Sequence, residues 1–319
     1  MFFKFERELR LKRRTIVFTE GNDKRIQEAA ERLTGADLMD VILLGNEKDV
    51  IESAKRNNCD ISVCTIIDPL NYEGIDEMVD EMVRLRKGKM TEEQVRKALE
   101  GANYFGTMLV KMHKADCLLG GATYSTADTV RPALQLIKTK PGNSIVSSSF
   151  VLIRGREIKL FSDCSICINP NEDELVEIAI ESARTAKMFG LEPKVAMLSY
   201  STHGSGKGES VTKMANATKK AKAMAPYLDI DGEMQFDAAV SQTVAKIKCP
   251  DSKVAGQANV FVFPDISAGN IGYKIAARLG NFEAVGPILQ GMNAPINDLS
   301  RGCTSDEVYK MSIITAALS

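Results

Sequence analysis

Four loops of this chain share a composition suited to holding an anion: GGATYSTADTVR (120–131), STHGSGKGES (201–210), DISAGNIGYK (265–274) and NDLSRGC (297–303). Glycine lets backbone N–H groups curl around an oxyanion, and hydroxyls donate to it. A following helix N-terminus adds partial positive charge, and a guanidinium binds bidentately. A single glycine–serine loop is most often a turn, but four of one composition exceed what turns need. Ser125 and Thr126 in the first loop, and Ser205, Gly206 and Lys207 in the second, are candidate substrate-binding groups, with Lys207 placed to meet a phosphate.

Several familiar chemistries are excluded by what these loops lack. A nucleotide-binding P-loop over Gly204–Gly208 needs glycine at 201 and Ser or Thr at 208, where the chain has Ser201 and Gly208, and no GxGxxG dinucleotide fingerprint is present. A serine hydrolase needs a GxSxG elbow, which is missing, and only His113 and His203 could serve a triad. Cys303 sits near Arg301, a cation that could activate a thiolate, but with no histidine base in sequence reach it reads as a buried, inert thiol. The Cys164–Cys167 spacing is half of a zinc ribbon without its other half, so no metal site is expected and the pair reads as small strand residues in FSDCSICIN.

The elements that must carry these loops alternate between strand and helix. TIVFTEGND (15–23) reads as strand and turn, and the following DKRIQEAAERL places Ile26, Ala29, Ala30 and Leu33 on one helical face. VILLG is a continuous apolar strand and KDVIESAKRN an amphipathic helix. SVCTIID and ADCLLGG are further strands; EGIDEMVDEMVRLRKG, TEEQVRKALEG and TADTVRPALQLI are helices, the last expected to hold Pro132 near its first turn. Such alternation predicts a largely parallel sheet flanked by helices.

A breaker cluster at Lys140-Pro141-Gly142-Asn143 reads as a linker to a second α/β region. Its expected strands are SIVSSSFVLI, REIKLFSDCSICIN, VAMLSYST, EMQFDAAV and ANVFVFPD. Its expected helices are NEDELVEIAIESARTAKMFG, VTKMANATKKAKAMA and AGNIGYKIAARLG. The first two strands form an antiparallel pair about Arg154-Gly155-Arg156. A final helix from about Ser305 to Leu318 is expected to pack back on the first region. The domains are thus expected at 1–142 with 297–319, and at 143–296.

Bulk properties fit a two-lobed globular protein of 319 residues with 41 basic and 42 acidic residues, whose net charge of −1 advertises neither nucleic acid nor an anionic membrane. The hydrophobic content of 44% is ordinary, and no apolar run approaches the ~18 residues a membrane span needs. The N-terminal MFFKFERELRLKRR lacks the apolar core of a secretory signal, so a cytoplasmic location is expected, with the seven cysteines reduced.

Taken together, the segments 101–142, 199–210, 231–239, 250–280 and 286–303 closely resemble the phosphate acetyltransferase (phosphotransacetylase) family almost end to end. The resemblance is carried by STADTVRPALQ, VAGQANVFVFPD, GNIGYKIA and NDLSRG in order and at family spacing. It implies two α/β domains like those of the isocitrate and isopropylmalate dehydrogenases, with the active site in a cleft between them, in a homodimer. The implied reaction is acetyl-CoA plus inorganic phosphate to acetyl phosphate plus CoA, reversible, through a ternary complex without a covalent acyl-enzyme. No permanently bound cofactor or metal is implied; CoA and acetyl-CoA are substrates.

By motif, the family's active-site arginines fall on Arg86 in LRKGKMT, Arg131 in TADTVRP and Arg301 in NDLSRG, and its active-site serine on Ser300. Arg131 would bind phosphoryl oxygens and Arg86 a CoA phosphate or the acyl phosphate. Ser300 and Arg301 would orient the reacting groups and stabilise the tetrahedral intermediate. Arg86 also fits the solvated end of a helix, and Arg131 a cap on its own loop. The family typically places an aspartate seven residues after that serine as the proposed base toward the thiol; here that position is Glu307, preceded by Asp306. Either carboxylate could take the proton, and Thr304 with Glu307 also spells a helix capping box.

Three other readings stand beside this one. A phosphate butyryltransferase differs by one or two methylenes in the pocket, which discriminate only modestly. A non-catalytic acyl-CoA-binding regulatory module, like the acyltransferase-like domain of some malic enzymes, is disfavoured by retention of Ser300, Arg131 and Arg301 and by the absence of a malic-enzyme portion. A dehydrogenase of the same broad fold would need metal carboxylates and a nicotinamide site, and neither is evident.

Overall fold

The computed structural model describes residues 2–319. In chain order the elements begin α1 (Phe2–Leu11), β1 (Thr15–Phe18), α2 (Lys24–Gly35), β2 (Asp40–Leu44), α3 (Glu47–Asn57) and β3 (Thr65–Ile67). There follow α4 (Ile75–Arg86), α5 (Glu92–Leu99), α6 (Ala102–Lys111), β4 (Cys117–Gly120) and α7 (Thr126–Leu136). Next come β5 (Ser147–Arg154), β6 (Glu157–Ser162), α8 (Glu172–Met188), β7 (Lys194–Leu198), α9 (Glu209–Met224) and β8 (Asp229–Met234). The chain ends with α10 (Phe236–Val240), α11 (Gln242–Lys248), β9 (Val260–Val262), α12 (Ile266–Leu279), β10 (Glu283–Gln290), β11 (Ile296–Asp298) and α13 (Ser305–Ala317). Two α/β units result: one runs to Lys140 and resumes over Met292–Ser319, the other spans Pro141–Gly291.

The first unit is built on a parallel sheet in the order β11-β4-β1-β2-β3. Its central strands are apolar without interruption because helices cover both faces, and Ile16, Val17, Phe18, Leu43 and Leu119 are buried. Each large side chain contributes about 1.5–3 kcal/mol by leaving water. The Asp23 side chain caps α2 by accepting from Arg25 N–H, and Ile26, Ala29, Ala30 and Leu33 are buried as their spacing predicts. The last helix, α13, packs against α1, α2 and β4 of this same unit. From β1 the chain adds β2 and β3 on one side, then returns to place β4 on the other. The carboxyl ends of β1 and β4 therefore flank a topological switch point, where open α/β sheets leave a crevice.

In the second unit the order is β10-β5-β6-β9-β7-β8. The β5–β6 pair is antiparallel with Arg154 opposite Glu157 around Gly155, as the charged turn predicts, and β10 adds antiparallel to β5. The pairs β6–β9, β9–β7 and β7–β8 are parallel, so the switch point lies between β7 and β9, and the loop 199–208 leaves β7 there. Phe150, Phe161 and Phe261 form the centre of an apolar cluster on one face, with Phe161 and Phe261 edge to face at 5.1 Å.

Some expected elements differ. EMQFDAAV is not one strand: β8 ends at Met234 and Phe236–Val240 is helix α10, whose Ala238 and Ala239 are buried against the core. Small apolar residues fit that helix face as well as a strand, and tertiary packing decides. Strand β6 stops at Ser162, where the buried Asp163 carboxylate gathers the N–H groups of Ser165, Ile166 and Cys167 into a turn, so Cys164 and Cys167 are turn rather than strand residues. Pro132 lies in the second turn of α7 rather than the first, because α7 already begins at Thr126. Burial of the proline ring offsets the hydrogen bond it removes.

Candidate active site

At the first unit's switch point, β1 delivers Thr19 and Glu20 and β4 delivers Gly120, Gly121 and the following loop. Glu20 is buried, and it staples that loop: its Oε1 accepts from Gly121 N–H at 3.2 Å, from Thr123 N–H at 3.1 Å and from the Thr123 hydroxyl at 3.3 Å. Its Oε2 accepts from the Thr19 hydroxyl at 2.7 Å, and Thr19 also meets the Tyr124 hydroxyl at 2.6 Å. Burial raises the Glu20 carboxyl above its ordinary value of 4.5 despite these donors. Gly120 is required here, since a Cβ would stand 2.1 Å from both Thr19 Oγ1 and Tyr124 Oη.

This staple frames a pocket of about 390 Å³ lined by Thr19, Glu20, Asn103, Tyr104, Tyr124 and Arg131, among others. Arg131 is exposed at its rim on α7. Ser125 occupies the N-cap position of α7, but its hydroxyl donates to Asp128 Oδ2 at 2.7 Å instead of capping, so no side chain closes that helix terminus. Thr126 points elsewhere: its hydroxyl donates to Asp298 Oδ2 at 2.6 Å.

The loop carrying Ser300 and Arg301 follows Asp298 directly and is held at both ends. Leu299 N–H donates to Gly120 O at 2.7 Å, and Arg25 donates to Arg301 O at 2.8 Å, to Cys303 O at 3.3 Å and to Ala122 O at 2.9 Å. One guanidinium thus ties the 301–303 carbonyls to the glycine loop after β4, itself paired with Asp23 at 2.8 Å. Ser300 and Arg301 are both exposed. Cys303 is buried, and burial pushes its thiol up to about 11 against the opposing pull of Arg25, so it is no activated nucleophile.

The two carboxylates beyond this loop are differently engaged. Glu307 Oε2 accepts from Thr304 N–H at 2.7 Å while Thr304 Oγ1 accepts from Glu307 N–H at 3.2 Å, a complete capping box on α13. Asp306 pairs with Lys310 at 2.7 Å and Arg32 at 3.1 Å, and these cations, Lys310 foremost, hold its carboxyl below the ordinary range. Arg86 ends α4, half-buried, and its Nε is buried with no hydrogen-bond partner.

In the second unit, the glycine loop after β7 is held from within. The buried Glu233 Oε1 accepts from Ser201 Oγ at 2.9 Å and from Gly204 N–H at 2.8 Å; Gly206 N–H donates to Ser201 Oγ at 2.8 Å, and Thr202 N–H donates to Ser205 Oγ at 2.9 Å. The amides of Gly204 and Gly206 are therefore spent inside the loop, while Ser205 and Lys207 are exposed residues of it. Among the described residues, no cluster of three or more His, Cys, Asp or Glu side chains is placed to hold a metal ion. All seven cysteines are free thiols.

Comparison with known proteins gives the family. Residues 4–316 match the model of the family described as phosphate acetyl/butaryl transferase. The chain belongs to this family. A phosphate acetyltransferase of Bacillus subtilis is 57% identical over 302 residues, covering 95% of this chain and 94% of the relative. A phosphotransacetylase crystal structure from Streptococcus pyogenes superposes with a TM-score of 0.96 at 52% identity, over 99% of this chain and 97% of the other. A putative 4-hydroxythreonine-4-phosphate dehydrogenase from Salmonella typhimurium shares the fold alone, at a TM-score of 0.58 and 11% identity, covering 97% of this chain and 100% of that one.

Within this phosphate acetyl/butaryl transferase, the first unit holds Arg86, Ser125, Thr126, Arg131, Ser300, Arg301, Asp306 and Glu307, and the second holds Ser205, Gly206 and Lys207. Sequence reasoning passed over Glu20, Arg25, Tyr124 and Asp298. The signal for Asp298 was available inside NDLSRG, as an acidic residue ending an apolar stretch, but its partners lie some 170 positions away.

Proposed function

We propose that this chain is a phosphate acetyltransferase that interconverts acetyl-CoA plus inorganic phosphate with acetyl phosphate plus CoA, by direct transfer in a ternary complex. The observation that carries this reading is the switch-point pocket with Arg131 on its rim and the side-chain-uncapped α7 terminus beside it, a donor set suited to a phosphate dianion. The 57% identity to a named phosphate acetyltransferase favours acetyl as the acyl group; the butyryl and regulatory readings are not favoured.

In this reading Arg131 binds the phosphate together with the N-terminal turn of α7, where Ser125 and Thr126 offer backbone N–H groups while their hydroxyls stay on Asp128 and Asp298, and a phosphate oxygen attacks the thioester carbonyl. Ser300 and Arg301 stabilise the oxyanion of the tetrahedral intermediate before thiolate departs. Arg86, whose buried Nε lacks an acceptor, supports a role in meeting an anionic group of CoA or of the acyl phosphate, since such an orphan costs about 1–3 kcal/mol without a ligand. Lys207 is assigned as a substrate-binding cation with Ser205 beside it, whereas Gly206, its N–H spent on Ser201 Oγ, shapes the loop that presents them. Of the two carboxylates, Glu307 is assigned to take the thiol proton when CoA attacks acetyl phosphate and to return it to the departing thiolate in the opposite direction, because Asp306 is engaged by Lys310 and Arg32.

We further read the protein as a cytoplasmic homodimer without a permanently bound cofactor. Ile271, Ile275 and Leu279 form an i, i+4, i+8 stripe on α12 that is 58%, 53% and 81% exposed, the kind of apolar face that a second copy covers. No helix among the described residues is long and apolar enough to cross a membrane. The test is release of free thiol from acetyl-CoA with and without phosphate, followed with a thiol-reactive dye and repeated with butyryl-CoA. Phosphate-dependent release, faster from acetyl-CoA, is expected; no release from either would overturn the reading.

A further inference from the structure

The buried carboxylate of Asp298 joins two segments that the reaction uses separately. Asp298 is the last residue of β11 and is 1% exposed. Its Oδ1 accepts from the Thr129 hydroxyl and its Oδ2 from the Thr126 hydroxyl, each at 2.6 Å. Both threonines belong to the first turn of α7, and Arg131 follows two residues after Thr129. On the other side Asp298 leads into the loop of Ser300 and Arg301, two and three residues on. The fit is close: Gly121 has φ +99°, and a Cβ there would stand 2.2 Å from Asp298 Oδ1. A desolvated carboxylate held this tightly costs free energy that burial of apolar groups would not. Aspartate here is therefore poorly explained by stability alone. A two-point acceptor does what an apolar residue cannot, because it sets both the axial position and the rotation of the helix that presents Arg131.

We propose that Asp298 is a positioning residue, which holds the phosphate-binding first turn of α7 in register with the Ser300–Arg301 loop through Thr126 and Thr129. It touches no substrate. It acts by keeping the phosphate clamp and the group that stabilises the oxyanion at a fixed separation, and a displacement near 1 Å in such a geometry lowers turnover by up to about 100-fold. The claim for catalysis rests on the phosphate acetyltransferase reading above, whereas the claim of a mechanical tie does not.

The test uses Thr129→Val, which removes one donor at nearly constant volume, and Thr129→Ser, which keeps it. Asp298→Asn is the companion variant, with Thr129→Val guarding against its failure to fold. Two readouts are taken on the full chain: amide hydrogen exchange across residues 299–304, and steady-state kcat with KM for acetyl-CoA and for phosphate. The expected result is faster exchange in 299–304 on mutating a residue of α7, a fall in kcat of about 10- to 100-fold with acetyl-CoA KM little changed, and restoration by serine. In a cycle with Ser300→Ala, the valine effect should shrink at least threefold, since a clamp in register with a missing group matters less. Unchanged exchange in 299–304 would overturn the tie whatever the activity. Faster exchange with unaltered kcat, or strictly additive effects in the cycle, would overturn its catalytic consequence. Faster exchange in the valine variant, where the wild type itself transfers no acetyl group, would uphold the tie and remove the functional reading instead.

Discussion

Thr304 and Glu307 close on each other at the start of α13, the Thr304 N–H donating to Glu307 Oε2 at 2.7 Å and the Glu307 N–H to Thr304 Oγ1 at 3.2 Å. The carboxylate assigned to proton transfer is therefore also a structural cap. These roles separate by substitution. Glu307→Gln keeps an acceptor in the box, so stability should change by less than about 1 kcal/mol, while loss of a general base lowers kcat about 100-fold or more. Asp306→Asn should leave turnover within a few-fold, because Asp306 has no assigned part in proton transfer, and its partly exposed ion pairs with Lys310 and Arg32 add little to stability. Wild-type turnover in Glu307→Gln would remove the assignment.

Among the described residues Arg131 makes no side-chain ion pair or hydrogen bond, only a weaker electrostatic pull on Asp128, and it is exposed, so its truncation should cost the fold little. Arg131→Ala is expected to melt within about 2 °C of the wild type while kcat/KM for phosphate falls about 100- to 1000-fold. Arg131→Lys should recover only part of this, since a point charge cannot replace a bidentate fork. A variant with normal phosphate kinetics would show that the clamp lies elsewhere.

Burial raises the Glu20 carboxyl above 4.5, and the sign of its effect on stability follows from linkage. A folded-state pKa above the unfolded one means that the folded protein binds the extra proton. The contribution is fully present below about 4.5 and is lost as pH rises through the folded value. Glu20→Gln does not titrate, so its stability relative to the wild type should rise with pH across that interval and level off above it. Urea unfolding of both proteins from pH 4 to 7 measures the difference; a pH-independent difference would contradict the burial argument.

Gly121 must combine a positive φ of +99° with the close approach of Asp298, so Gly121→Ala meets both strain and a clash. A loss of more than about 1 kcal/mol in denaturant unfolding is expected. Gly142, also at positive φ but with open space around it, serves as the control, and its alanine variant should lose less. Equal losses would mean that backbone conformation, not contact with Asp298, governs the site.

Much of this protein is legible along the chain. The apolar runs at 16–18 and 41–44, the 3.6-residue spacing of Ile26, Ala29, Ala30 and Leu33, and the T-x-x-E at 304–307 each specify an element through neighbours only a few residues distant. The loops with Arg131, Ser300 and Lys207 are likewise visible as composition. Short amphipathic pieces were not: FDAAV reads as strand in EMQFDAAV, whereas burial of Ala238 and Ala239 in the second unit's core makes it helix.

The sequence by itself determined the family, the α/β alternation and which loops could meet an anion, because these rest on local pattern and on motifs whose residues are contiguous. Only the tertiary structure decided that Glu20 staples a loop 101 to 103 residues away, that Arg25 ties carbonyls 276 and 278 residues on, and that Asp298 grips α7 across 169 and 172 residues. It also turned the Gly204 and Gly206 amides inward onto Glu233 and Ser201, where composition alone had offered them to a phosphate. A buried carboxylate is chosen by the donors that surround it in space, and their positions in the chain carry no spacing rule from which it could be found.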